Sequence, residues 1–252
     1  MTIRGRIIDT DLADPAYTAA VDDVLLESLA SGEGAPSLHL YRRDPPAVTL
    51  GYFLKTDEVV RLDRARSLGI SIIRRKSGGG AIYTDPGQLI YGLVVTPFSG
   101  EDVAMSFSRY CTALSRAICS LGIEAYYAPP NDVEVGGRKV SGSAQKRKGR
   151  ALLQHGTVIL QLDRENMEKV LVPPADRLDR HGAKSMGERV MGLNEVAERK
   201  IELSKLKEAV SRELASAAGV ELTPGELTTT EQDMVDHLVR TRYGSDEWNL
   251  RR

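Results

Sequence analysis

Apolar positions along the chain recur at helical spacing in several blocks, with short strand-like runs between them. After Asp14, the residues Tyr17, Val21, Val24, Leu25 and Leu29 mark one buried helical face. Asp14 serves as its N-cap, Pro15 takes the first helical position, and Gly32 ends it. Residues 38–41 and 48–53 read as strands around a turn at Asp44-Pro45-Pro46. A helix is predicted near 57–67, then a strand at Gly69-Ile70-Ser71-Ile72-Ile73. Residues 81–83 and 88–96 read as a hairpin around Asp85-Pro86-Gly87. Residues 105–121 read as a helix with Phe107, Tyr110, Leu114, Ala117, Ile118 and Leu121 as its stripe. Residues 133–140 predict a hairpin through Gly136-Gly137, a pair suited to the positive φ of a type I′ turn, and 151–162 predict a further strand. Past residue 163 the pattern turns helical, at 164–171, 204–217 and 231–242. Ser204 is placed as the N-cap of the second of these, and Thr229 with Gln232 in capping-box register for the third. Strands followed by helices predict an α+β fold.

Bulk properties narrow the function classes. The 252 residues suit one large domain or two small ones, and 41% hydrophobic content supports a buried core. A net charge of −1 gives no global attraction to nucleic acid or to an anionic membrane. No apolar run approaches the roughly 18 residues of a membrane span. The amino-terminal MTIRGRIIDTDLADP has no apolar signal-peptide core, so a cytoplasmic protein is expected. The two cysteines, Cys111 and Cys119, lie eight residues apart on one predicted helix. That is about 12 Å, too far for a disulfide. No CxxC or clustered His/Cys spacing points to zinc.

Candidate chemistry concentrates in two stretches. Residues 74–85 read RRKSGGGAIYTD. Three glycines let backbone amides approach a ligand and take up φ > 0, although a plain tight turn uses the same residues. The flanking Arg74 and Arg75 offer planar, permanently charged forks suited to phosphate or carboxylate. Residues 131–156 read NDVEVGGRKVSGSAQKRKGRALLQHG. Lys139 lies between the glycine clusters Gly136-Gly137 and Gly142, where it could reach across a ligand or stand as a solvated hairpin lysine. Asn131-Asp132 could be a turn or cap; His155 could be a hydrogen-bonded core residue. The basic run from Lys146 to Arg150 could be a solvated loop, or could contact a nucleotide or an acidic partner.

Together the two stretches resemble the lipoate-protein ligase and octanoyltransferase family, whose catalytic module in turn resembles biotin protein ligase. The matching pieces are RRKSGGGAIYTD, Asn131-Asp132, GGRKVSGSAQ with Lys139, and QHGT from Gln154 to Thr157. Weaker matches run from LYRRDPPAVTLGYF at 40–53 to YGSDEWN at 243–249. The resemblance implies an α+β catalytic module of the class II biotin/lipoyl-ligase kind: a mixed, mostly antiparallel central sheet with helices packed outside. It implies ATP with Mg2+, lipoate or octanoate as acyl substrate, and a lysine of a lipoyl acceptor domain as recipient. That acceptor would be the E2 of a 2-oxoacid dehydrogenase or the glycine-cleavage H protein. Lys139 would be catalytic, holding the acyl carbonyl and a phosphate oxygen of the acyl-adenylate. Arg75, Ser77, Gly78, Gly79, Gly80, Ala81, Tyr83, Asn131, Ser141, Gly142, His155, Gly156 and Thr157 would bind substrate or adenylate. Asp132 would help hold the metal. Strands at 48–50 and 89–94 would wall an apolar tunnel for the acyl tail.

Two departures bear on the activity expected. Many relatives have histidine where this chain has Thr84. The octanoyltransferases carry a catalytic cysteine, either upstream of the Lys139-type hairpin or late in the chain; residues 124–128 contain none, and none follows Cys119. A thioester-forming enzyme therefore lacks its nucleophile. DPGQLIYG, at 85–92, faintly resembles a stretch of the octanoyltransferases and keeps that alternative open. Biotin ligation is disfavoured because RRKSGGGA replaces the usual GRGR-type loop. The chain stops four residues after Trp248, so a single catalytic domain is expected, with any accessory domain on a separate polypeptide.

Overall fold

The computed structural model describes residues 3–172 and 185–251. Eleven strands form two sheets among them. Eight belong to the large sheet: β1 (Ile3–Ala13), β2 (Ser37–Arg43), β6 (Gln88–Val95), β7 (Tyr126–Ala128), β8 (Asp132–Val135), β9 (Arg138–Lys148), β10 (Ala151–Ile159) and β11 (Val220–Pro224). Their order is β11-β1-β2-β6-β10-β9-β8-β7. The β11–β1–β2 edge is parallel and every other pair is antiparallel. The remaining strands, β3 (Ala47–Leu50), β4 (Ser71–Arg74) and β5 (Ile82–Thr84), make a small sheet in the order β4-β3-β5. This is the mixed, mostly antiparallel α+β architecture expected. No helix among the described residues is long and apolar enough to cross a membrane.

One predicted hairpin is corrected. β5 and β6, on either side of Asp85-Pro86-Gly87, lie in different sheets, and so do β2 and β3, which flank the Asp44-Pro45 turn. In each case a short connection passes the chain from one sheet to the other. The hairpin through Gly136 (φ 55°) and Gly137 (φ 78°) forms between β8 and β9 as predicted. β1 and β11 were not foreseen. Only Ile8 of β1 is buried, so no alternating pattern marks it; backbone pairing on both edges holds it instead.

Helices cover both faces of the large sheet. α1 (Pro15–Ser31) starts where predicted, with the Asp14 carboxylate accepting from the Ala16 and Tyr17 amides. It is buried on more sides than the predicted stripe, while Tyr17 itself is only partly covered. Residues 56–67 form two short helices in place of one, α2 (Thr56–Val59) and α3 (Leu62–Ser67). α4 (Val103–Cys119) packs Tyr110, Cys111, Leu114, Ala117 and Ile118 on the far face, beside α7 (Leu203–Ala218). α5 (Arg164–Val170) and α6 (Met186–Arg189) lie near the small sheet. The cap of α7 is Glu202, not Ser204, which falls inside the helix. In α8 (Thr229–Leu238) the capping box is Thr228 with Glu231, one residue before the predicted pair. The π turn Val239–Tyr243 and α9 (Asp246–Asn249) follow.

Candidate active site

Between the two sheets, on the α1 side, lies a cavity of about 550 Å³. Strand alternation selects its walls. Thr157, His155 and Leu153 of β10 face it, whereas Leu152 and Val158 enter the core under α4. In β6 only Gln88 and Ile90 open onto it; Leu89 and Leu93 point to the opposite face. In β3 only Thr49 does so. The apolar tunnel expected from 48–50 and 89–94 is thus corrected. Those two ranges contribute only Thr49 and Ile90, with Gln88 just before the second, while apolar wall comes from Leu54, Val59, Ile82, Leu162 and Met167.

The glycine loop joins β4 to β5. Gly79 takes φ 97°, which a side-chain-bearing residue resists. The two arginines before it bond mostly to backbone, with Arg74 also donating to Thr56 Oγ1 and Arg75 to Ser77 Oγ. Arg74 is fully buried and donates to the carbonyls of Gly51, Tyr52, Leu54 and Asn249. Arg75 lines the cavity but donates to the carbonyls of Thr49, Gly78 and Gly80. Burial, then the neighbouring Arg43 charge, lowers its pKa to about 10. Arg74 is thereby committed to shaping the loop, while Arg75 braces the same loop from the cavity wall.

A chain of polar contacts fixes the loop to the floor. Ser77 Oγ lies 2.7 Å from His155 Nε2, and His155 Nδ1 lies 3.6 Å from Asp22 Oδ2. Asp22 also pairs with His39 Nδ1 at 2.9 Å and accepts from the Tyr41 hydroxyl at 3.1 Å. Burial alone would raise the Asp22 carboxyl, but His155 and His39 outweigh it and hold the group well below the usual carboxylate range.

At the other end, Lys139 crosses the floor. Its Nζ lies against Gly142, where any Cβ would collide with it. Lys139 Nζ pairs with Asp132 Oδ1 at 2.6 Å, and Arg189 Nη2 reaches Asp132 Oδ2 at 3.0 Å. Asn131 Nδ2 donates to the Ser143 carbonyl. Magnesium takes oxygen ligands in near-octahedral array. Both oxygens of Asp132 already face cations, and no group of three or more His, Cys, Asp or Glu side chains able to hold a metal occurs among the described residues. These residues do not build a magnesium site of their own.

Lys139, Asp132, Arg75, Ser77, Gly79, Gly80, Ala81, Tyr83, Asn131, Gly142, His155, Gly156 and Thr157 all line this one cavity, and so does Thr84. Gly78 and Ser141 are not among its lining residues. Gly78 contributes its carbonyl to Arg75, and Ser141 is fully buried. Of the basic run, Lys146 lines the cavity, while Arg147, Lys148 and Arg150 bond to Glu101, Glu27 and Leu29. Sequence reasoning missed Asp22, His39, Tyr41 and Arg189. The Asp22-Asp23 pair within the apolar run AAVDDVLL was the available signal, since carboxylates seldom sit on a buried helix face unpaired. Arg189 carried no local signal.

Neither thiol reaches the cavity. Cys111 is buried behind the floor, 3.7 Å from Ser143 Oγ, and burial pushes its pKa up to about 11. Cys119 is exposed at the end of α4, with its sulfur 3.4 Å from the Ala125 carbonyl oxygen.

Residues 14–215 match the family model described as the lipoyl protein ligase A/B catalytic domain. The chain is 32% identical to octanoyltransferase LipM of Brevibacillus brevis, covering 98% of this chain and 99% of that one. Their alignment spans 273 positions against 252 residues here, so the relative carries residues this chain lacks. Among solved structures, the fold matches that of an archaeal lipoylation system from Thermoplasma acidophilum, described as a bi-partite lipoate protein ligase and its E2 lipoyl domain. The match has a TM-score of 0.86 and 26% identity, covering 98% and 96% of the two chains. It also matches a lipoate-protein ligase A bound with ATP, with a TM-score of 0.84 and 25% identity, covering 98% and 99%.

Proposed function

The chain belongs to the lipoyl protein ligase A/B catalytic domain family, and from that membership we propose that it is the catalytic subunit of a lipoate-protein ligase. A carboxylate oxygen of lipoate, or of octanoate, attacks the α-phosphorus of ATP; the P–O bond to the β-phosphate breaks and pyrophosphate leaves. A lysine amine of an acceptor lipoyl domain then attacks the acyl carbonyl. The amide forms, AMP leaves, and the amine proton passes to solvent. The acceptor is a lipoyl domain of the 2-oxoacid dehydrogenase E2 type or a glycine-cleavage H protein.

Within this reading, Lys139 places a positive charge where the carbonyl oxygen and the α-phosphate meet, stabilising the charge that develops on each. Backbone of Gly79, Gly80 and Ala81 lies against the ligand from one side, Gly142, Gly156 and Thr157 from the other. A cavity of about 550 Å³ is in the range that ordinary ligands fill.

The observation that carries the ligase over the transferase is the position of the thiols. An acyl-enzyme route needs a nucleophilic sulfur at the acyl carbonyl. Cys111 and Cys119 are the only cysteines in the chain, and neither lines the cavity that holds Lys139. The octanoyltransferase reading is favoured by the name of the B. brevis relative. Mass spectrometry of an acceptor lipoyl domain separates the two. Modification from lipoate plus ATP, and none from octanoyl carrier protein, is expected; the reverse pattern would establish the transferase.

A further inference from the structure

We infer that Arg189 is a second catalytic cation of this site, and that Asp132 is the ion-pair anchor joining it to Lys139 rather than a ligand for magnesium. The inference rests on the acyl-adenylate reading above and concerns which side chains meet its phosphate.

The three groups form one unit. Asp132 presents Oδ1 to Lys139 Nζ at 2.6 Å and Oδ2 to Arg189 Nη2 at 3.0 Å. Their side chains are 11%, 22% and 22% exposed, so bulk solvent and salt screen them less than a surface pair. Backbone contacts keep Arg189 in place. Val190 bridges to Lys139 in parallel register, the Met191 amide donates to the Lys139 carbonyl at 2.8 Å, and Arg138 Nη2 donates to the Val190 carbonyl at 2.7 Å. The segment that carries Arg189 is thereby strapped to the strand that carries Lys139.

Charge and valence then limit the ligand. Two cations around one carboxylate give this cluster one net positive charge. A dication added at Asp132 would face both Lys139 and Arg189 at contact distance, and Coulomb repulsion opposes it. An anion meets the opposite condition. Arg189 has five N–H donors, and among the described residues only the bond to Asp132 is made. The rest of its planar fork is available to two oxygens of a phosphate, a geometry that lysine does not reproduce. Without Asp132 between them, two cations converging on one phosphate would repel one another in the free protein.

The test uses the full chain, an acceptor lipoyl domain and preformed octanoyl-AMP, with a chelator or with added Mg2+, alongside calorimetric binding of AMP. The unaltered protein should transfer the acyl group equally well with the chelator. Arg189→Ala should lower kcat/KM for octanoyl-AMP about 10- to 100-fold and weaken AMP binding by at least about tenfold. Arg189→Lys should recover part of both. Asp132→Asn should slow transfer in chelator too, with no rescue by Mg2+. Arg189→Ala within twofold of the unaltered protein in both assays would remove Arg189 from the phosphate site. An Asp132→Asn defect confined to the ATP-dependent step and relieved by raised Mg2+ would make Asp132 a metal ligand. If the unaltered protein binds AMP but transfers nothing, the ligase reading falls, and AMP affinity alone judges Arg189. If it binds no AMP, both fall.

Discussion

Nε2 of His155, at the centre of β10, lies 2.7 Å from Oγ of Ser77 in the glycine loop. This contact joins a loop carried by the small sheet to the floor provided by the large one, so it sets the width of the cavity at that point. His155→Ala should therefore raise KM for the acyl donor about tenfold, the cost of about 1.4 kcal/mol expected for a lost hydrogen bond and looser loop. Ser77→Ala should do less, because Arg75 still holds the Gly78 and Gly80 carbonyls. Steady-state kinetics with an acceptor domain measure both. A fall in kcat at unchanged KM would assign His155 to the chemistry in place of the clamp.

Lys139→Ala should reduce acceptor modification by about 10² to 10³ while leaving the protein folded. Lys139 makes one ion pair and is partly exposed, and Asp132 keeps Arg189 when the amine is gone. Circular dichroism with a quantified transfer assay tests this. Modification at a near-normal rate would show that another cation does the work.

Cys111→Ala and Cys119→Ala should each retain transfer activity within a few-fold. The thiols should also differ in reactivity. Burial holds Cys111 as a thiol with a pKa of about 11, whereas Cys119 is exposed. A folded sample should consume close to one equivalent of a thiol reagent quickly and the second only on unfolding. An inactive but folded variant of either cysteine would return the acyl-enzyme mechanism to contention.

How legible each part was follows from where its determinants lie. Helix α1 could be read because its Asp14 cap and Gly32 stop are local, α4 because one apolar stripe specifies it, and the β8–β9 hairpin because Gly136-Gly137 carries its turn. The mistaken hairpin around Asp85-Pro86-Gly87 had its strands and turn placed correctly; which sheet a strand joins is decided by partners far along the chain, such as Ala47 with Ser71 and Thr84. β1 stayed hidden because pairing, not side-chain burial, holds it. At the site, most residues of the contiguous motifs come together around one cavity, Gly78 and Ser141 excepted. Asp22, His39 and Arg189 were not, since each acts through a residue distant in sequence: Asp22 through His155, Arg189 through Asp132. The charge of Arg74 and Arg75 can be read from sequence, whereas the loop carbonyls that they brace appear only once the loop is folded.

Asp22 should set the acid limit of stability. Its carboxylate is buried in α1 beside Gly92, where a side chain would collide with it, and His39, His155 and Tyr41 surround it. The folded-state pKa lies well below the ordinary value, with burial opposing the shift and the histidines outweighing burial. An unfolded aspartate titrates near about 3.9. For a depressed carboxyl, the stabilisation is fully present above that unfolded value and is lost as pH falls through the folded one. Asp22→Asn keeps the shape and removes the charge, so at pH 7 it should cost about 3 kcal/mol, as expected when one partner of a buried ionic cluster is lost. The cost should shrink below about pH 4, where the unaltered protein loses the same contribution. Thermal unfolding of both proteins from pH 7 down to the acid transition supplies the measurement. Curves that converge toward low pH are expected; a constant separation would mean that the native structure does not depend on Asp22 as an anion.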